Sequence, residues 1–377
     1  MQYKPYGADG PQISRLGFGV MRLPLAASGE YADVDFQAST CVLRAAFAAG
    51  CNFVDSHHGY HGGHSEVAIG KALRGWRGQR VYVQTKTPWY REEPVEYFER
   101  LLDEALEKLG VDSIDYLLHH AMTMTHWQTR GKAFIKFTDR ALARGLIRHR
   151  GFSSHETPAN VRAFIDTGEF AVMLVSYNWM NPQMRDVIAY AADKGMGVTV
   201  MNPVGGGALA ASTRQILDLL PTADSAAEVS LRYVLATPGV TCALSGMGTL
   251  EQVAENASIA GLAEPLTAAE QTAMQSRLRA IEHEAAQFCT ACGYCMPCEH
   301  GVDIPGNLKL LNQVRFFGLR DWAARQYRRL RERGDADRSA AACRRCGACE
   351  PKCPNNVAII ELLAETRALL ERDDATG

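Results

Sequence analysis

Eight of the chain's eleven cysteines fall in two short runs near its end. Cys289, Cys292, Cys295 and Cys298 form "CTACGYCMPC", each two residues from the next; Cys343, Cys346, Cys349 and Cys353 form "CRRCGACEPKCP", with three residues before the last cysteine and Pro354 after it. In the run C-x2-C-x2-C-x3-C-P the thiolates converge on a cube of iron and sulfide, and the fourth cysteine ligates the neighbouring cluster. The spacing therefore predicts two [4Fe-4S] clusters with crossed ligation: one on Cys289, Cys292, Cys295 and Cys353, the other on Cys343, Cys346, Cys349 and Cys298. The first run departs from the pattern, since its last spacing is two and Glu299 stands where proline would. Two zinc sites of four thiolates each are the alternative, but zinc ligands come as C-x2-C pairs separated by a loop, and neither run contains one. Cys41, Cys51 and Cys242 have no partners in sequence and read as apolar fillers.

A second group of reactive side chains lies far upstream. "VDSHHGYHGGHSE" offers Asp55 and Tyr60, "VQTK" ends at Lys86, and "IDYLLHH" ends at His119 and His120. Hydride addition to a carbonyl builds negative charge on oxygen, and a proton must follow. A tyrosine hydroxyl supplies it if its high pKa is lowered; a lysine cation favours the phenolate, and an aspartate keeps the lysine charged and oriented. A histidine can hydrogen-bond the carbonyl oxygen. His57, His58, His61 and His64, with His119, His120 and Tyr60, admit a metal site as an alternative to a polar rim for substrate hydroxyls, but no ligand spacing recurs.

The elements that must position these groups follow from periodicity. "RLGFGVMRL", "NFVDSH", "RVYVQTK", "SIDYLLHH", "RHRGFSS", "FAVMLVSYN", "MGVTVMNP" and "GVTCALSG" read as strands. Amphipathic stretches such as "QASTCVLRAAFAAG", "EYFERLLDEALEKLG" and "MRDVIAYAADKG" separate them, each stopping at a glycine. Eight such units fit an α/β fold of the (β/α)8 TIM-barrel type, preceded by a hairpin turning at Gly7 to Gly10 that closes the floor. No G-x-G-x-x-G follows the first strand, which argues against an open dinucleotide-binding sheet. Barrel sites lie at the carboxyl ends of the strands, where the acid, phenol, lysine and histidine all fall. "NPVGGGALA", after the seventh strand, is a glycine-rich loop able to let backbone amides approach a pyrophosphate.

The division expected is a barrel over 1–283 and a small α-helical iron–sulfur domain over 284–377. Forty basic against forty-two acidic residues leave the chain near neutral, which offers no signature of nucleic acid or an anionic membrane. The start, "MQYKPYGADG", lacks the apolar run of a secretory signal, and no apolar stretch is long enough for a span; the expectation is a cytoplasmic protein. Between Val314 and Arg338 arginines cluster while Leu319, Ala323, Tyr327 and Leu330 recur at helical spacing. That face is either simply solvated or docks an acidic electron carrier such as a ferredoxin or flavodoxin.

With these residues in place, the first 260 positions resemble the aldo-keto reductase family, through "FVDSHHGYHGGHSE", "VQTK", "IDYLLHH", "GFSSHE", "YNWMN" and "SGMGTLEQVAEN". The whole chain resembles the branch with a C-terminal ferredoxin-like domain. The resemblance implies a catalytic tetrad of Asp55, Tyr60, Lys86 and His120; the family places its histidine five residues after the fourth-strand aspartate, here Asp115, and alternation along the strand turns His119 away. It also implies cofactor contacts: Ser153 and Ser154 at the nicotinamide amide, Asn202 and Gly246 after the seventh and eighth strands, and Glu255 and Asn256 at the adenine. Several family residues are replaced: the glutamine before "YN" is Leu174, the stacking tyrosine is Met201, and the two cations that grip the 2′-phosphate of NADP align with Gly246 and Gln252. A phosphate without those cations is poorly compensated, so NADP is not the implied preference, and NAD, another dinucleotide or no nicotinamide all stay open.

A hydride carries two electrons and a cluster moves one. Structural clusters, a flavin (no flavin motif stands out) or single-electron delivery to a carbonyl would each reconcile them. The leading expectation is an oxidoreductase interconverting a carbonyl and an alcohol, such as a sugar or polyol, with electrons relayed through the clusters. An electron-transfer subunit with a non-catalytic barrel, and a redox-neutral epimerase or dehydratase with a retained nicotinamide, are the alternatives.

Overall fold

The computed structural model describes all residues except 212, 287–292, 294, 333–335, 354–356 and 372–377, and leaves out the side chains of 282–286. Cys289 and Cys292 therefore lie outside the described residues. The chain packs as two compact units, Met1–Gly206 with Ser230–Leu266, and Gly207–Val229 with Thr267–Gly377.

The first unit opens with β1 (Tyr3–Pro5) and β2 (Gln12–Ser14), an antiparallel hairpin that pairs Tyr3 with Ser14. Eight strands follow: β3 (Leu16–Gly19), β4 (Phe53–Asp55), β5 (Tyr82–Thr87), β6 (Ile114–His119), β7 (Ile147–Ser154), β8 (Val172–Ser176), β9 (Gly197–Met201) and β10 (Cys242–Ser245). All pair in parallel, in the closed order β10-β3-β4-β5-β6-β7-β8-β9. This is the (β/α)8 barrel, and each of the eight expected strand segments contributes one strand.

The helices between them are α1 (Phe36–Ala48), α2 (His64–Leu73), α3 (Val95–Leu109), α4 (Met124–Ala143), α5 (Pro158–Asp166), α6 (Arg185–Asp193), α7 (Arg214–Leu217), α8 (Ala226–Ala236) and α9 (Leu250–Ile259). Their starts follow capping chemistry. Asp35 accepts from Ala38 N at 2.9 Å ahead of α1, and Thr123 from His126 N at 3.2 Å ahead of α4. In α3 the buried Phe98, Leu101, Leu102, Ala105 and Leu109 recur at helical spacing, and Gly110 ends it at φ 67°.

The floor is closed by Tyr6, which leaves the hairpin and enters the barrel. Its ring packs edge-on to Phe53 at 5.3 Å, and its hydroxyl donates to Gln84 Oε1 at 2.9 Å. It joins an apolar layer of Ile13, Phe53, Tyr116, Leu118, Val172, Leu174, Cys242 and Leu244. That packed layer leaves the chemistry to the strand ends.

The second unit contains α7 and the helices α10 (Ala268–Ala286), α11 (Ile304–Phe317), α12 (Arg320–Glu332) and α13 (Ile359–Leu370). Gly318, at φ 66°, breaks the arginine-rich stretch into two helices. Ala323, Ala324 and Tyr327 of α12 are buried, with Leu330 packed on the same core, while Arg325, Arg328, Arg329 and Arg331 are exposed. The fully buried Asn307 staples α11 to the segment before the second cysteine run. Its amide donates to Asp303 O at 2.8 Å and Arg338 O at 3.0 Å, and its carbonyl accepts from Ala340 N at 2.9 Å. Among the described residues no helix is long and apolar enough to cross a membrane.

Candidate active site

Asp55 is the last residue of β4 and pairs with Gln84 of β5, and strand alternation puts Lys86, two residues on, on the same face. Lys86 Nζ donates to Asp55 Oδ2 at 2.7 Å and to the Ser56 carbonyl at 2.6 Å; both side chains of the ion pair are buried. Gln84 Nε2 donates to the other Asp55 oxygen at 2.8 Å, so the carboxylate is satisfied on both oxygens.

Tyr60 enters from the turn after β4. His61, Gly62 and Gly63 are all left-handed there, at φ 52°, 62° and 95°, which reverses the chain into α2. Two hydrogen bonds hold His61 in that uncommon conformation: its Nε2 accepts from Leu23 N at 3.3 Å, so its Nδ1 donates to the Tyr31 carbonyl at 2.6 Å. His64 Nδ1 reaches Ala32 O at 2.7 Å. These two histidines tie down the loop after β3. Among the described residues no three His, Cys, Asp or Glu side chains converge as the ligands of a single metal ion do.

The Tyr60 ring lies 5.3 Å from Lys86 Nζ and 6.4 Å from the His120 ring. Burial pushes the Tyr60 phenol up; Lys86 pulls it down and is outweighed. The expected lowering is thus one contribution to a balance that burial wins, and the phenol keeps its proton. His120 and His119 diverge. The His119 ring is fully buried 5.3 Å from Phe134, on the α4 side, whereas His120 faces Tyr60, Tyr90 and His57. Burial, then Lys86, holds His120 down at about 3, so it stands as a neutral imidazole.

His57 is the neighbour the strand-end pattern did not single out. Its ring lies 3.9 Å from that of His120, tilted by 38°, and 5.1 Å from that of Tyr60, tilted by 58°. Gly59 N donates to its Nδ1 at 3.0 Å, which puts the ring proton on Nε2. That N–H is buried with no hydrogen-bond partner among the described residues. Burial, then His120 and Lys86, depresses His57 to about 2.

The expected cofactor contacts are placed unevenly. Ser153 Oγ accepts from Ala121 N at 2.9 Å, and Ser154 Oγ donates to Met122 O at 2.7 Å, so both buried hydroxyls serve the backbone beside His120. Leu174 is buried in the apolar layer, with Met201 packed against it. Asn202 is left-handed at φ 57°, and its amide reaches Ser176 Oγ at 3.3 Å. Asn256 Nδ2 donates to Ser245 Oγ at 3.0 Å, and Glu255 lies one residue before it on α9.

Gly246 has a neighbour that no local pattern signals. Arg22, after β3, runs along it: a Cβ on Gly246 would stand 3.2 Å from Arg22 Cβ and 3.4 Å from Cδ, and one on Gly206 would stand 3.0 Å from Arg22 Nη2.

In the second unit, Cys295, Cys298, Cys343, Cys346 and Cys349 line one cavity together with Ile304, Ile360 and Leu363. Cys295 also belongs to the apolar core behind that wall, and Cys353 packs against the same core. A cavity walled by five thiols and aliphatic side chains suits a soft, sulfur-rich group.

Residues 15–224 match the Aldo/keto reductase family, and residues 288–359 match the 4Fe-4S dicluster domain. Among curated proteins, the chain is similar to the NADH-specific methylglyoxal reductase of Escherichia coli, 24% identical over 334 residues that cover 75% of this chain and 100% of that protein. It is also similar to L-galactose dehydrogenase of Arabidopsis thaliana, 24% identical over 283 residues covering 68% and 87%. Among solved structures, the holo form of aldo-keto reductase AKR11C1 from Bacillus halodurans superposes with a TM-score of 0.64 at 23% identity, covering 74% of this chain and 96% of that one.

Proposed function

The chain belongs to the aldo/keto reductase family, and from that premise we propose that it interconverts a small hydroxylated carbonyl compound and its alcohol, with Tyr60 as the acid/base. The observation that carries this reading is the position of Lys86, bonded to Asp55 at 2.7 Å and 5.3 Å from the Tyr60 ring, with His120 beside the same phenol. When bound, NAD(P)H supplies the hydride. The protein then has to orient the carbonyl and deliver a proton to its oxygen. Neutral His120 donates a hydrogen bond to that oxygen without bringing a second cation to the site. Tyr60, protonated at neutral pH, passes its proton to the oxygen as charge develops there, and Lys86 stabilises the phenolate left behind. In the oxidative direction the same phenolate takes the proton back. Asp55 holds Lys86 charged and aimed.

His57, His58, His120 and Tyr90 make the surroundings polar and aromatic, which suits hydroxylated substrates. Two relatives are named for small oxygenated compounds, methylglyoxal and L-galactose. In the second unit, Cys298, Cys343, Cys346 and Cys349 would hold one [4Fe-4S] cluster, and Cys289, Cys292, Cys295 and Cys353 a second, for exchange of single electrons with a carrier docked on the exposed arginines of α12.

Tyr60→Phe is the direct test. Turnover should fall by about 10²–10⁴-fold, with dinucleotide affinity and the cluster absorbance near 400 nm unchanged; unchanged turnover would refute the assignment. A second reading, a barrel that serves electron transfer without catalysis, draws on Leu174, which is apolar and buried where the family's amide contact would be. Anaerobic titration separates the two: carbonyl reduction supported by NADH or NADPH excludes the scaffold.

A further inference from the structure

We infer that Arg22, delivered from the end of β3, is the cation that receives the pyrophosphate of the dinucleotide. The inference rests on the nicotinamide-dependent reading above. A dinucleotide brings two phosphate charges to the barrel mouth, and phosphates are held by guanidinium forks and close backbone approach. Within the first unit, the segments that follow β8, β9, β10 and β3 are residues 177–184, 202–206, 246–249 and 20–35. Within them Arg22 is the one Lys or Arg. Its guanidinium makes no ion pair or hydrogen bond with other described residues, and the side chain is exposed.

Arg22 is nevertheless not a free surface arginine. Its aliphatic stem lies against Gly246 and its Nη2 against Gly206. Gly206 is left-handed at φ 66°, where a side chain is disfavoured, so the backbone after β9 stays bare beside the guanidinium. Gly246 has no such backbone demand. A side chain there would instead press on the Arg22 stem at 3.2 Å. A side chain at 246 and the present course of Arg22 therefore compete for one space, and the glycine leaves it to Arg22. Packing of the stem fixes the fork before an anion arrives, which lowers the ordering cost of binding.

The phosphates concerned are those shared by NADH and NADPH, because Arg22 Nη2 stands where a side chain on Gly206 would, so an anion there meets cation and bare backbone together. Both dinucleotides should therefore depend on Arg22 equally.

The test is binding, read by quenching of tryptophan fluorescence in the purified full chain with NADH and, separately, NADPH. Arg22→Ala should weaken both by the same factor, about tenfold. Arg22→Lys should keep part of the affinity. Circular dichroism and cluster absorbance matching wild type show that the variants are folded. Unchanged affinity for both ligands in Arg22→Ala overturns the inference, and so does a loss confined to NADPH, which would place Arg22 at a 2′-phosphate. A wild-type chain that binds neither dinucleotide instead removes the nicotinamide-dependent reading, and this inference falls with it.

Discussion

Three imidazoles in the barrel are buried as neutral bases, and acid should unfold the protein through them. His57, His119 and His120 are held at about 2, about 3 and about 3 against an ordinary value of 6.5, burial being the largest cause in each. Lys86 and His120 add to the depression of His57, Lys86 and His155 to that of His120, and His126 and Arg130 to that of His119. Because the folded values are lowered, the unfolded chain takes up protons that the folded chain refuses once pH drops through 6.5. Stability is therefore lost as pH falls from the unfolded value toward the folded ones. Between about pH 7 and about pH 5 each histidine costs about 2 kcal/mol, and the three together up to about 6 kcal/mol. Glu66, whose carboxyl is raised by burial, works in the opposite sense and trims the loss. Urea unfolding followed by tryptophan fluorescence reports mainly the barrel, since four of the five tryptophans, Trp76, Trp89, Trp127 and Trp179, belong to the first unit and only Trp322 to the second. His119→Phe removes one contribution on the α4 side of the strand, where His119 packs against Phe134, at the cost of its 3.2 Å contact with the His120 carbonyl. It should reduce the acid-induced loss by about a third. A wild-type midpoint that does not move between those two pH values, or a variant that loses as much as wild type, would refute the reasoning.

Lys86→Met should destabilise the barrel by about 3–5 kcal/mol, because it leaves Asp55 charged and buried, and adding Asp55→Asn should restore most of that; a double variant as weak as the single one would contradict it, by urea midpoint at neutral pH. Cys298→Ser should lower iron from about eight to about four atoms per chain if ligation is crossed, and full retention of iron and sulfide on anaerobic purification would remove Cys298 from the ligand set. Tyr6→Phe deletes hydroxyl contacts to Gln84 at 2.9 Å and Thr199 at 3.2 Å on the floor. It should cost about 1–3 kcal/mol while leaving turnover intact, and a loss of turnover would mean the floor is coupled to the site.

The eight strands were readable because each is a short apolar run closed by a turn signal, and local pattern carries that information. The cysteine spacing was equally local, and the match of 288–359 to a 4Fe-4S dicluster domain agrees with it. Asp55, Lys86 and His120 could be assigned to strand ends, since strand alternation and parallel register translate position into direction. The balance at Tyr60 could not be read that way. A lysine nearby suggests a lowered phenol, yet the depth of burial, which the whole barrel sets, outweighs it. The proton on His57 Nε2 likewise depends on a backbone amide folded back onto Nδ1.

Arg22 marks the clearest division. The chain by itself determined that a cation follows the first barrel strand and that a glycine follows the last. Only ring closure, which pairs β10 with β3 through Ala243 and Leu16, made the two neighbours, because a parallel sheet curled into a cylinder brings together side chains that no local pattern relates.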